Sequence, residues 1–270
     1  MTTPIRRAIL IAAGRGKRLG AHTEEIPKCM VQVGAQPILG WVWKALSAVG
    51  VEELVVIRGY RGDVLESFVR TLVPRVHFVD NLEWQTNNVL LSLACARPYL
   101  DQPTYLTYSD IIFTPEVARA AAASTAEVGL VIDRDFRSIY VGRTEHPLDE
   151  GEVSDLMPDG SVARVGKRAL PPEHAIGEYI GLTRLGARGA ATVANTLDSL
   201  AQRFAGRETE AFQRAATYRN AYLTDLWQTL IDTGVRVDPI LIDGQWREID
   251  TGQDLERARQ LVDSASKDWS

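Results

Sequence analysis

Cysteine is nearly absent from the chain: Cys29 and Cys95 are the only two in 270 residues. That count excludes a disulfide framework and a cysteine-rich zinc set. Cys29 sits beside Lys28, a neighbour able to lower a thiol pKa, yet it reads as an ordinary buried thiol. Four histidines, His22, His77, His146 and His174, show no metal-ligand spacing and read as scattered surface or loop residues. No apolar run approaches the roughly 18 residues of a membrane span, and no secretory pattern opens the chain. The expectation is a cytoplasmic protein with no membrane partner. Positive charge is not in excess either: 30 Lys and Arg against 35 Asp and Glu give a net charge of −5. A nucleic-acid-coating protein would need a basic face, so nucleic acid is not an expected partner. Internal repeats and low-complexity linkers are also lacking.

Cations are instead concentrated near one glycine-rich stretch, residues 8–28, AILIAAGRGKRLGAHTEEIPK. Its apolar run, Ala8 to Ala13, suits a strand covered on both faces. The run breaks at Gly14-Arg15-Gly16-Lys17-Arg18, with Gly20 and Lys28 further on. Glycines let backbone N–H groups curl around an anion, and four nearby cations point to a polyphosphate. Gly14 and Gly20 are one residue too far apart for a Walker A loop. A dinucleotide fingerprint fails as well, because its third glycine is displaced by one.

The order of elements bears on fold. Pro37 and Gly50 bracket a helix, residues 53–57 and 75–79 read as strands, and Asp63 is a candidate N-cap for the helix between them. A helix over 88–99 and a strand over 104–108 follow. Such alternation predicts an α/β fold with a doubly wound, mostly parallel, Rossmann-like sheet. Ligands of these sheets bind beyond the C-terminal strand ends, where Gly14, Asp80 and Asp110 fall. Beyond the strand over 127–133, short β-like pieces at 138–142, 152–157, 161–166 and 178–183 predict an antiparallel insertion covering the acceptor end of the pocket. Pro158-Asp159-Gly160 marks a hairpin turn within it. A helical pattern over 187–233, strands over 235–242 and 246–250, and a helix over 253–264 close the chain. One domain is expected, with 1–125 as the nucleotide-binding half and 126–270 as the acceptor-binding and metal-completing half.

The wording LIAAGRGKRLG, followed by PKCMVQVGAQPIL, resembles the signature of the sugar-nucleotide and phosphocholine-type nucleotidyltransferases. It covers only the first 40 or so residues, and Lys17 departs from the small or polar residue usual there. The resemblance implies that Ala12, Ala13, Gly14, Gly16 and Lys17 wrap a nucleoside triphosphate. Arg18 and Lys28 would contact its phosphates as the catalytic cations. YSDIIF around Ser109 and Asp110, together with VVIRGYRGD and YVGR, is similar to the cytidylyltransferases of phosphonate biosynthesis.

Other candidate residues follow. Asp110, at a strand end, suits a divalent cation that bridges phosphates, and magnesium calls for a further carboxylate. Asp250 in WREIDTGQDL matches the family's second metal aspartate, with Glu248 on the same side of that strand and Asp225 as weaker helpers. Asn87 and Asn88 carry amides suited to a pyrimidine edge, and one of them is expected to cap the following helix. Lys167 matches a family lysine for the acceptor phosphate, with Arg168 as its competitor, and Glu178 would touch ribose or acceptor. Trp84, Tyr179, Trp227 and Trp246 could form a cage for a quaternary ammonium, but mostly read as core. The expected activity is magnesium-dependent transfer of CMP from CTP to a small phosphonate or phosphomonoester, phosphocholine included. Alternatives are a sugar 1-phosphate nucleotidyltransferase using TTP or UTP, an inositol-phosphate cytidylyltransferase, and a nucleotide-binding regulatory relative without catalysis. A homodimer is compatible with the sequence.

Overall fold

A computed structural model describes residues 4–264 and residue 269. In chain order, β1 (Arg7–Ala12) leads through the glycine loop to a short β2 (Gln32–Val33) and β3 (Gln36–Pro37). Then come α1 (Ile38–Ser47), β4 (Glu53–Arg58), α2 (Gly62–Leu72), β5 (Val76–Asp80), α3 (Val89–Cys95), β6 (Thr104–Tyr108), β7 (Ile111–Phe113) and α4 (Pro115–Ala123). The second half holds β8 (Val128–Asp133), α5 (Phe136–Tyr140), β9 (Glu152–Leu156), β10 (Val162–Lys167), β11 (Gly177–Leu185), α6 (Ala187–Phe204), α7 (Leu223–Asp232), β12 (Asp238–Ile242), β13 (Trp246–Glu248) and α8 (Gly252–Ser264).

The main sheet runs β10-β9-β11-β6-β1-β4-β5, with β8 pairing β11 and β12 beside it. Its β6-β1-β4-β5 core is parallel, and β12 is parallel to β8. β11 runs antiparallel to β6, β8 and β9, and β9-β10 is the antiparallel hairpin expected at Pro158-Asp159-Gly160. The mostly parallel, doubly wound sheet with added antiparallel strands is therefore as the sequence predicts.

Alternation along β1 explains the two-sided burial. Ile9 and Ile11 pack with Leu90 and Leu93 of α3, Val193 and Leu197 of α6, and Leu226 and Trp227 of α7. Ala8, Leu10 and Ala12 face Leu39 and Val42 of α1, Leu65 and Val69 of α2, and Val117 of α4. With both faces of β1 buried, its polypeptide must leave the sheet at Ala13, and that exit forms the ligand end.

Several local expectations differ from the structure. Residues 136–140 form helix α5, where a β-like piece is expected at 138–142. Asp63 lies inside the first turn of α2, and Arg61, with φ 48°, takes the cap position. The helix expected over 88–99 ends at Cys95 and continues as a 3-10 turn around Pro98, whose ring cannot extend the hydrogen-bond ladder. The helical pattern over 187–233 breaks between α6 and α7, where Phe212 and Ala215 form a tight β-bridge. Strand β7 and helix α4 escaped the sequence pattern.

Candidate active site

The functional cleft, about 400 Å³, lies beyond the C-terminal ends of β1 and β6. One wall is the loop after β1. Thr23 Oγ1 donates to the Gly16 carbonyl at 3.1 Å and to that of Gly20 at 3.3 Å, and Leu19 N closes back on Gly16 O at 3.1 Å. Gly16 has φ +73°, and a Cβ there would stand 2.8 Å from Lys28 Cδ. Glycine is required because the lysine stem passes directly against the backbone. Ala13, Gly14, Gly16, Lys17 and Arg18 line the cleft. Ala12, expected to bind nucleotide, instead packs into the core behind the loop.

A small antiparallel ribbon, β7 against β13, brings the two aspartates together. Ile249 N donates to the Asp110 carbonyl at 2.8 Å, so Asp250 must sit beside Asp110 although 140 positions separate them. Lys28 Nζ donates to Asp110 Oδ2 at 3.1 Å and to Asp250 Oδ1, and Arg18 Nη2 lies 2.5 Å from Asp250 Oδ2. Burial alone would lower the Lys28 pKa, but the carboxylates of Asp110 and Asp250 outweigh it and push it up to about 12. Burial also opposes charge on Asp250, yet Lys28 and Arg18 hold its carboxyl below the usual range. Asp110 Oδ1 is buried with no hydrogen-bond partner among the described residues.

Behind this group lies Arg143, almost wholly buried. Its guanidinium donates to Asp254 at 2.7 and 3.1 Å and to Glu248 Oε2 at 2.9 Å, and its Nη2 lies 2.7 Å from His146 Nδ1. Asp254 in turn accepts from the backbone N–H groups of Asp250 and Thr251. His146 lies in a loop, as expected, but it is buried there and is no surface residue. Burial and the Arg143 charge push its pKa down to about 4, leaving it neutral at neutral pH. Ligand atoms of His146, Glu248 and Asp250 fall within 4.8 Å of one another. Arg143 Nη2 already occupies His146 Nδ1 and Glu248 Oε2, at 2.7 and 2.9 Å, so neither atom is open to a cation while those contacts stand. Burial and the neighbouring Asp250 raise the Glu248 pKa, which further disfavours its charged, ligating form. Replacing Arg143 with Met would leave Asp254 and Glu248 facing an uncharged interior. A loss of about 3–5 kcal/mol in unfolding free energy is expected in a denaturant titration.

Asp225 does not join the metal group. Its carboxylate caps α7 by accepting from Tyr222 N at 2.8 Å and Arg214 N at 3.1 Å. An acid at the third position of a helix serves the orphan N–H groups of the first turn, and that demand is met first.

Asn87 and Asn88 line the opposite wall with Trp84 and Ser109. The Asn87 amide makes two reciprocal bonds with Asn81, at 2.8 and 3.0 Å. Asn88 holds the cap position of α3, but its side chain donates to the Asn220 carbonyl at 3.0 Å and makes no cap bond. The expected asparagine side-chain cap is therefore absent.

The antiparallel strands supply the far end. Lys167 Nζ stands 4.9 Å over the Tyr222 ring and 3.4 Å from Glu150 Oε2. Glu152, fully buried, accepts from Tyr108 at 3.1 Å and Thr224 at 3.2 Å, and burial pushes its pKa up to about 7. Glu178 accepts from Tyr140 at 2.7 Å while its Oε2 has no partner among the described residues, and burial raises it likewise to about 7. Arg168, at φ 54° and exposed, faces a neighbouring cavity instead of the cleft. Trp227 is enclosed in the core, whereas Trp84, Tyr179 and Trp246 border the cleft. Cys29 is buried and its thiol is pushed up to about 12, which bears out an inert thiol.

A raised carboxyl pKa has a signed consequence. Folding favours the protonated form of Glu152, so its stabilising contribution is complete below the usual carboxylate range, about 4.5, and is lost as pH rises through about 7. Glu152→Gln is therefore expected to flatten the fall in unfolding free energy between about pH 5 and about pH 8. Denaturant titrations at both pH values check it; an unchanged slope would contradict the assignment.

Residues 8–152, more than half of the chain, match the MobA-like NTP transferase domain. The chain belongs to that family. This nucleotidyltransferase is 27% identical over 255 residues to the CTP:phosphoglutamine cytidylyltransferase of Campylobacter jejuni, covering 92% of this chain and 97% of the relative. It is 32% identical over 159 residues to the CMP-5'-(3-aminopropyl)phosphonate synthase of Streptomyces rubellomurinus, covering 57% of this chain but 24% of that longer protein. Among solved structures, the inositol-1-phosphate CTP transferase of T. maritima superimposes with a TM-score of 0.73 at 21% identity, covering 97% of this chain and 98% of that one. That last likeness establishes the nucleotidyltransferase fold. No described helix of the nucleotidyltransferase is long and apolar enough to cross a membrane.

Sequence reasoning missed Arg143, Glu152, Tyr108 and Tyr222 as site residues. Two of them lie in stretches that carry the resemblance, Tyr108 in YSDIIF and Arg143 in YVGR, but nothing local marks either as a site residue.

Proposed function

We propose that the protein transfers CMP from CTP to a small phosphonate or phosphomonoester, releasing pyrophosphate, with magnesium as cofactor. The observation that carries this reading is Lys28, buried between Asp110 and Asp250 and packed on the glycine loop, in one cleft with Asn87 and Lys167. Cytidylyltransferases among the relatives support it. An acceptor oxygen would bond to the α-phosphorus of CTP as the bond from that phosphorus to the β-phosphate oxygen breaks. The acceptor is already anionic, so no general base is required, and catalysis rests on positioning and charge stabilisation.

Lys28 would neutralise charge growing at the α-phosphoryl group, and the loop N–H groups with Lys17 and Arg18 would hold the triphosphate. After its two bonds to Asn81, Asn87 retains one N–H and one lone pair, the complement of a cytosine edge. Lys167 would draw in the acceptor anion. Asp110 and Asp250 fit magnesium: both are oxygen donors, and the partnerless Asp110 Oδ1 supplies a free lone pair. Bound there, magnesium would offset the charge of the leaving pyrophosphate.

A panel of CTP, UTP, TTP and ATP against phosphonates, phosphocholine, inositol phosphate and glucose 1-phosphate tests the reading by pyrophosphate release. Release with CTP and a phosphonate or phosphocholine is expected. Release with UTP or TTP and a sugar phosphate alone would overturn it.

A further inference from the structure

A second cavity, about 540 Å³, adjoins the cleft and shares Glu150, Lys167 and Tyr222 with it. Its remaining wall comes from Arg168, the tight turn Gln213–Arg214, and the start of α7. Three cations meet there, Lys167, Arg168 and Arg214. Glu150 bridges two of them, at 3.4 Å from Lys167 and 3.2 Å from Arg168. Among the described residues no carboxylate oxygen lies within ion-pair distance of the Arg214 guanidinium, whose Nη2 meets the Ala169 carbonyl at 3.4 Å. The other acid in the wall, Asp225, feels the Arg214 charge but spends its hydrogen-bond capacity on backbone N–H groups. Of the four non-glycine residues with positive φ among the described residues, two, Arg168 and Gln213, line this one cavity. Backbone held in that region persists where surrounding structure enforces it, and it gathers at ligand sites.

We propose that this cavity is the distal half of the acceptor site and takes a carboxylate carried on the acceptor's tail. The inference rests on the reading of the main cleft as a cytidylyltransferase site. Lys167 stands at the junction, where it meets the phosphonate or phosphate head on one side. A guanidinium with unfilled donors matches a carboxylate in a two-point fork, which an ammonium or hydroxyl tail cannot use. The substrate class is therefore an acceptor with a phosphonate or phosphate at one end and a carboxylate at the other.

Two probes differ by that group alone: aminopropylphosphonate and its carboxylated counterpart aminophosphonobutyrate. Calorimetry on the wild-type protein is expected to show about 10-fold tighter binding of the carboxylated compound. Arg214→Ala should abolish that preference and leave aminopropylphosphonate affinity unchanged, while Arg214→Lys should retain part of it. Equal wild-type affinities, binding of neither compound, or an equal loss for both in Arg214→Ala would overturn the assignment. Turnover of both probes with CTP is scored separately. Turnover without a tail preference would remove the second cavity and leave the reaction standing; a tail preference in binding without turnover would do the reverse.

Discussion

Lys28→Ala is expected to lower kcat by at least about 10³-fold while leaving the fold intact. Removing a single preorganised donor from a transition-state site costs about 10²–10³-fold, and Lys28 brings a full charge in a buried position. Its Nζ bonds both Asp110 and Asp250, so the change also leaves those carboxylates facing each other with Arg18 at the rim. Circular dichroism and a denaturant titration on the same sample separate lost chemistry from lost fold. Lys28→Arg should rescue little, because Gly16 and the lysine stem are already in contact and a bulkier head has nowhere to retreat. Wild-type kcat in Lys28→Ala would sink the assignment of Lys28 to the α-phosphoryl group.

Asp250→Asn is expected to lower turnover by about 10²-fold or more and to raise the magnesium concentration needed for half-maximal rate. Its carboxylate is shared by Lys28 and Arg18, and an amide would offer a hydrogen-bond acceptor without the charge that fixes both cations. Kinetics over a magnesium series measure both effects. Asp225 supplies the contrast: as a helix cap, its replacement by alanine should cost about 1 kcal/mol of stability and leave the magnesium dependence unchanged. A reversed ranking would mean the wrong aspartate has been placed at the metal.

How much of this was legible in the sequence depended on the range of each interaction. The glycine loop could be read because turn geometry and close backbone approach dictate residue type locally, as Gly16 against Lys28 illustrates. Asp110 and Asp250 were legible as strand-end carboxylates, although only the β7–β13 ribbon explains why they meet. Arg143 and His146 were not, because burial of a charged or titratable side chain is set by partners more than 100 positions away, such as Glu248 and Asp254. Asp225 was misread since an acid near a helix start satisfies either a cation or the first-turn N–H groups, and one sequence cannot say which. The strand expected at 138–142 failed for a related reason. The short run Ile139-Tyr140-Val141 reads like a strand, yet Phe136 and Ile139, three apart, are the ones buried in the helix.

The most direct test of nucleotidyl transfer follows the label from CTP carrying radioactive phosphorus at the α position, incubated with magnesium and a phosphonate acceptor. The account predicts that the label moves into a CMP–acceptor conjugate while pyrophosphate leaves unlabelled. Label remaining in CDP, with the γ-phosphate on the acceptor, would contradict it and make the protein a kinase.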